Sequence, residues 1–177
     1  MLDTNKMKLK HFILAFFCLV ITCIFFYTKN QNNFEKLLED YYQESLDLYR
    51  INATYLGDER YNDSLPNFLS LDFQRKQRNF FNFYLDKLYH FDDKKLSPDQ
   101  LLSKKLLIRE LELDLRGLNF KKNLMPIDQM WTFQLDIGQL ASGKGAQPFN
   151  SLKDYQNWLV RLDGYLKWMA SAEQKMR

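Results

Sequence analysis

The chain of 177 residues contains 15 Phe, 10 Tyr and 3 Trp but only 6 Gly and 4 Pro. This composition excludes a disordered chain and favours a single packed domain. The net charge of +3 arises entirely before residue 33, because the remainder carries equal numbers of basic and acidic residues. Without a basic surface, no nucleic-acid partner is predicted.

Residues that commonly bind metals or act as nucleophiles are scarce after residue 32. Cys18, Cys23 and His11 all precede that point, which leaves His90 as the single imidazole. A protein zinc site normally requires three or four ligands, mostly histidine and cysteine. We therefore predict no metal site, no cofactor and no catalytic residue in this chain, and we exclude a metalloenzyme that acts alone.

Residues 1–32 have the order of a signal peptide or signal anchor: basic, then apolar, then polar. The uncharged run at residues 12–27 is about 16 residues long, between a signal-peptide core of 7–15 and a membrane span of about 20. A retained membrane anchor is favoured, while a cleaved signal and lipidation at Cys23 stay open. The lysines before the run predict an exported, membrane-anchored protein whose domain lies on the periplasmic or extracellular side.

Residues 33–177 show the periodicity of an all-α domain with about four amphipathic helices. The first helix is predicted over residues 34–56, where apolar side chains recur at intervals of three and four. Gly57 follows it as a candidate C-terminal cap. Asp72 is a candidate N-cap for the second helix.

The third helix has the strongest start signal in the chain. Ser97 is an N-cap residue, Pro98 suits the first helical position, and Gln100 completes a capping box. The helix is predicted to run to about Leu118. Three carboxylates on it are interpreted as a solvated, ion-paired face rather than as catalytic acids: Glu110, Glu112 and Asp114.

Within the segment near 127–137, apolar and polar residues alternate from Trp131 to Ile137, which predicts an extended strand with one buried face. No second strand is evident, so the segment is either an extended loop packed on helices or a strand whose partner lies elsewhere. Polar and aromatic side chains in an irregular segment between helices are typical of binding sites. We therefore predict a substrate groove lined by Gln129, Trp131 and Gln139.

The fourth helix is predicted to begin near Ser151. Its apolar residues alternate spacings of three and four, which is typical of a seam that packs against another helix. The seam residues are Leu152, Tyr155, Leu159, Leu162, Leu166 and Met169.

Five short motifs in order along residues 34–177 resemble the N-terminal part of the DUF885 family of bacterial proteins. They are the opening helix at residues 34–49, the "A-T-x-x-G" step at residues 53–57, and the "L-s-x-x-d" start at residues 96–99. The proline-to-glutamine segment at residues 126–129 and the "D-Y-x-x-x-L-x-R-L" helix at residues 154–162 complete the series.

The resemblance implies an exported protein similar to helical zinc metallopeptidases, with an HExxH helix later in a chain several times longer. No such motif is present here, so zinc is expected only in the full-length family. The chain is expected to be a truncated product: a fragment, a frameshifted gene or half of a split protein. It would be inactive without a C-terminal catalytic part as partner. The alternative is a membrane-tethered, non-enzymatic helical binding module.

Overall fold

The computed structural model describes residues 17, 18, 21, 22, 29, 33–120, 124–130 and 132–177. Within these ranges every regular element is helical and no strand occurs, so the all-α prediction is confirmed. No helix among the described residues is long and apolar enough to cross a membrane. Most of the predicted leader lies outside the described residues, and the anchor stays a prediction.

Six helices and two short 3-10 turns are formed within the described part of residues 33–177. Residues 33–48 are helical and form α1. The others are α2 (Arg50–Tyr55), α3 (Leu71–Tyr89), α4 (Pro98–Gly117), α5 (Phe133–Ala141) and α6 (Leu152–Met176), with 3-10 turns at Glu59–Tyr61 and Asp93–Lys95.

The predicted first helix is divided in two at Tyr49, whose φ of −109° and ψ of 65° leave the helical region. The predicted cap at Gly57 is confirmed, because this residue takes a φ of +81°. Its N–H donates to Thr54 O, and the N–H of Asp58 donates to Ala53 O over 2.9 Å. This paired arrangement satisfies carbonyls at the end of α2 and reverses the chain.

The start of α3 differs from the prediction by two residues. Ser70, and not Asp72, is the N-cap, and its Oγ accepts a hydrogen bond from the N–H of Phe73. Asp72 instead lies in the first turn, where it pairs with Arg75 and Lys76. Both serine and aspartate can cap a helix, so residue type alone did not separate them.

The predicted start of α4 is confirmed in full. Ser97 Oγ accepts from the N–H of Gln100 over 3.2 Å, and Gln100 Oε1 accepts from the N–H of Ser97 over 3.2 Å. Because the cap satisfies donors that the helix itself cannot, we expect Ser97→Ala to lower the free energy of unfolding by about 1 kcal/mol. Urea denaturation measures this change. The control is Ser103→Ala within α4, and equal stability of the two variants would contradict the prediction.

The core is divided between two helical layers. Helices α3 and α4 run antiparallel, because the Tyr89 hydroxyl at the end of α3 donates to Glu112 of α4, whereas Arg78, earlier in α3, donates to Asn119, which follows α4. Together with α1 they bury the first cluster: Phe34, Phe81, Tyr84, Leu88, Leu96, Leu107 and Leu111. Helices α5 and α6 bury two further clusters with the 65–69 segment: Leu65, Ile137, Leu140 and Trp158 in one, and Leu69, Trp168 and Ala172 in the other.

The prediction of an extended segment near 127–137 is wrong for its second half. Residues 133–137 belong to α5, where Ile137 and Leu140 are buried while Leu135 is 56 % exposed. Phe133, Ile137 and Leu140 are spaced by four and three residues, which fits a helix as well as alternation fits a strand. Without a second strand to satisfy the backbone, the helical periodicity prevails.

The predicted seam of α6 is only partly covered. Leu162 and Met169 pack against the core, whereas Leu152, Tyr155, Leu159 and Leu166 are all more than half exposed. The buried face of the helix is formed instead by Trp158, Arg161, Trp168 and Ala172.

Candidate functional site

A buried guanidinium joins α6 to three other parts of the chain. Arg161 is 0 % exposed. Its Nε donates to Ser64 O over 3.2 Å, its Nη1 donates to Gln147 Oε1, and its Nη2 donates to Thr54 Oγ1 over 2.7 Å and to Tyr61 O. We call these five residues the Arg161 cluster. All four acceptors are neutral, so the guanidinium is held by hydrogen bonds without a directly bonded carboxylate.

Burial lowers the pKa of Arg161 to about 10, although the nearby Asp63 raises it. The side chain is therefore protonated at neutral pH. A buried charge is tolerated only where hydrogen bonds replace its hydration, and the cluster supplies four. Its inaccessibility gives the cluster a structural role, and a ligand would have to bind elsewhere.

Three adjoining cavities lie between the two helical layers. The central cavity, of about 390 Å³, has walls that include Tyr49, Phe73 and Gln77. The Trp168 cavity, of about 450 Å³, shares four wall residues with it: Phe68, Gln77, Phe133 and Asp136. On the other side lies the Arg50 cleft, of about 720 Å³, which shares Arg50, Leu65, Pro66 and others with the central cavity.

Four of the five charged residues in the described lining of the Arg50 cleft form ion pairs with one another. Arg50 donates to Asp47 Oδ1 over 2.8 Å and to Ser64 Oγ over 2.7 Å. Lys76 Nζ lies 3.1 Å from Asp72 Oδ2. The cleft therefore contains two neutralised pairs and one further carboxylate, that of Glu44.

The central cavity has one carboxylate in its described lining, that of Asp136, and none of the described residues neutralises it. Asp136 is exposed in the first turn of α5, and its carboxylate neither accepts a hydrogen bond from nor forms an ion pair with any described residue. Its negative charge adds to burial in raising the pKa of Tyr55. The cavity thus combines one free anion with aromatic walls.

Two hydrogen-bonding side chains also line the central cavity. Gln77 Nε2 donates to the hydroxyl of Tyr49 over 3.0 Å. Burial raises the pKa of Tyr49, with smaller contributions from Asp114 and Glu110, so its hydroxyl keeps its proton at neutral pH. That proton and the second N–H of Gln77 have no acceptor among the residues whose positions are known.

Within the described part of the chain, the three carboxylates of α4 do not form the ion-paired face that was predicted for them. None of Glu110, Glu112 and Asp114 forms an ion pair with a described residue. Glu112 accepts from the Tyr89 hydroxyl over 2.8 Å, and burial raises the pKa of Asp114. Among the described residues, no group of three or more His, Cys, Asp or Glu is placed to hold a metal ion.

The comparisons with known proteins now give the family. The family model of DUF885, described as a bacterial protein of unknown function, matches residues 51–177. The chain belongs to the DUF885 family. A search of curated proteins finds no match, and a search of solved structures also finds none.

The Arg161 cluster gives a physical reason for two DUF885 motifs. Thr54 belongs to the "A-T-x-x-G" step and Arg161 to the "D-Y-x-x-x-L-x-R-L" helix, and the two side chains are hydrogen-bonded although 107 positions separate them. Thr54 Oγ1 in turn donates to Asn62 Oδ1 over 2.9 Å. Both motifs are visible in the sequence, but their contact was not predicted.

The predicted groove residues of this DUF885 chain are not assembled into one described site. Gln129 is exposed before α5, Gln139 is exposed on α5, and Trp131 lies outside the described residues. The groove that they were predicted to line stays a prediction. Asp136, in the same segment, was missed because it was interpreted only as the polar side of a strand.

Proposed function

We propose that this chain provides the non-catalytic helical part of an exported, membrane-anchored and peptidase-like DUF885 protein. Family membership and the order of the leader residues support this proposal. The peptidase-like character and the zinc motif are implied by the resemblance and would belong to a catalytic part outside these residues. In the assembled protein, Gln129, Trp131 and Gln139 would face the substrate.

The apolar outer face of α6 carries the proposal. Leu152, Leu159 and Leu166 are spaced by seven residues, so they lie on one side of the helix, and each is more than 60 % exposed. Tyr155, 54 % exposed, extends the same side. Extended apolar surfaces are uncommon on soluble monomers and usually mark interaction sites. We therefore assign the catalytic part as the partner that covers this face.

The experiment compares one substitution in two settings. Leu159→Glu is introduced into this chain and into a chimera, in which residues 51–177 replace the matching region of a full-length DUF885 protein. Because Leu159 is exposed here, we expect the substitution to change the free energy of unfolding of this chain by less than about 0.5 kcal/mol. In the chimera, the catalytic part would cover residue 159, so we expect Leu159→Glu to lower the free energy of unfolding by about 2 kcal/mol or more. Urea denaturation gives both values.

Gln174→Glu is the matched control, since it adds the same charge at an exposed polar position of α6. It should leave both proteins unchanged. If Leu159→Glu has the same small effect in both settings, no catalytic part covers this face. That result would instead favour a helical binding module that uses the face for a separate protein.

A further inference from the structure

We infer that the central cavity binds the free N-terminal end of a peptide or an amino-acid amide with an apolar side chain. The inference is independent of what covers α6, because it uses only groups that line a cavity within this chain. Three features carry it: an unpaired carboxylate, a pair of unused donors and an aromatic wall. Each matches one group of an α-aminoacyl end.

The carboxylate of Asp136 matches the ammonium group. It lies where the central cavity and the Trp168 cavity meet, since it lines both. Arg50, the cationic residue in the described lining of the central cavity, already pairs with Asp47 and donates to Ser64. An unneutralised anion at an aromatic wall favours a cationic ligand through direct pairing and through ring faces.

The donors of Tyr49 and Gln77 match the carbonyl group. The Tyr49 hydroxyl accepts from Gln77 and therefore retains its own proton for another acceptor. An α-aminoacyl end places a carbonyl oxygen two bonds beyond the carbon that bears the ammonium. Asp136, Tyr49 and Gln77 all line the central cavity, and an α-aminoacyl end offers a cation for the carboxylate and an acceptor for the donors, whereas a lysine side chain has no adjacent carbonyl.

The aromatic wall matches an apolar side chain. The rings of Phe68 and Phe133 are packed edge to face with centroids 5.0 Å apart, and both line the two cavities. Phe73 closes the central cavity, and the buried Trp168 ring forms the far wall of its neighbour. Cavities of about 390 and 450 Å³ have the size of sites for small molecules.

The test measures the binding of four probes to the full chain by titration calorimetry. Phenylalanine amide has the ammonium, the carbonyl and the ring. N-acetylphenylalanine amide lacks the charge, phenethylamine lacks the carbonyl, and Nα-acetyl-lysine amide carries the ammonium on a side chain. We expect saturable binding of phenylalanine amide, at least about fivefold weaker binding of phenethylamine, and still weaker binding of the other two.

Substitutions then assign the binding to the cavity. Asp136→Asn should weaken phenylalanine amide binding about fivefold or more, while Asp136→Glu, which keeps the charge, should retain most of it. Tyr49→Phe should weaken phenylalanine amide but not phenethylamine. Asp163→Asn is the control, because Asp163 is an exposed carboxylate of α6 outside these cavities.

Several results would overturn the inference. They are equal binding of phenylalanine amide and its N-acetyl form, equal effects of Asp136→Asn and Asp163→Asn, or no saturable binding of phenylalanine amide. Preferential binding of the lysine derivative would assign the ammonium to a side chain and would also reject the N-terminal end. Circular dichroism of each variant shows whether the helices are intact, and Asp136→Glu provides a second comparison if Asp136→Asn unfolds.

Discussion

Replacement of Arg161 by methionine is expected to lower the free energy of unfolding by about 3–5 kcal/mol. Methionine keeps much of the side-chain length but donates no hydrogen bond. The substitution would leave the carbonyls of Tyr61 and Ser64 and the side chains of Thr54 and Gln147 without their shared donor. Part of this loss in stability is offset, because the penalty for burying the charge is removed as well. The acceptors nevertheless remain buried away from water.

Urea denaturation, extrapolated to zero denaturant, measures the effect. Arg109→Met is the matched control, because Arg109 is exposed on α4, and it should change the free energy of unfolding by less than about 0.5 kcal/mol. Arg161→Lys keeps the charge but loses the planar fork of donors, so its stability should lie between those of the wild type and Arg161→Met. Equal stability of Arg161→Met and Arg109→Met would show that the cluster is dispensable.

The second large effect is expected at Gly164, where α6 passes close to the 64–66 segment. A Cβ atom on Gly164 would lie 2.7 Å from Leu65 O and 2.8 Å from Leu65 Cβ. Because a backbone carbonyl cannot move away like the end of a side chain, we expect Gly164→Ala to destabilise the domain by about 1–3 kcal/mol. Replacing glycine by alanine inside a helix usually stabilises a protein, because alanine has the higher helix propensity, so the effect expected at Gly164 has the opposite sign.

Gly138→Ala provides the matched control within α5. A Cβ atom there has no neighbour within 4 Å, so alanine should stabilise the domain by about 0.5–1 kcal/mol. The same denaturation experiment gives both values. Two stabilising substitutions would mean that α6 and Leu65 are not in close contact.

Local signals explain which helices could be predicted. The start of α4 was predicted to the residue, because Ser97, Pro98 and Gln100 act within one turn. The same reasoning named Asp72 and missed Ser70, since both residue types can cap and the sequence does not show which N–H groups lack partners. Helix α5 was missed because seven residues are too few to distinguish a period of two from a period of 3.6.

The candidate site depends on contacts that no local pattern contains. Nothing near Arg161 in the sequence shows that it is buried, because its acceptors come from residues 54, 61, 64 and 147. The free carboxylate of Asp136 likewise becomes visible only when Tyr49 and Gln77 are placed on the same cavity. The two DUF885 motifs that contain Thr54 and Arg161 showed the order of these residues along the chain. They did not show that the two side chains are in contact.

The separation of Thr54 from Arg161 also has a consequence for the lifetime of the folded state. A bond across 107 positions forms only after most of the chain has been brought together, because closing so large a loop is entropically costly. Interactions made after the folding transition state slow unfolding more than they speed folding. The Arg161 cluster should therefore act chiefly as a kinetic barrier, and its loss would shorten the time for which the domain resists proteases.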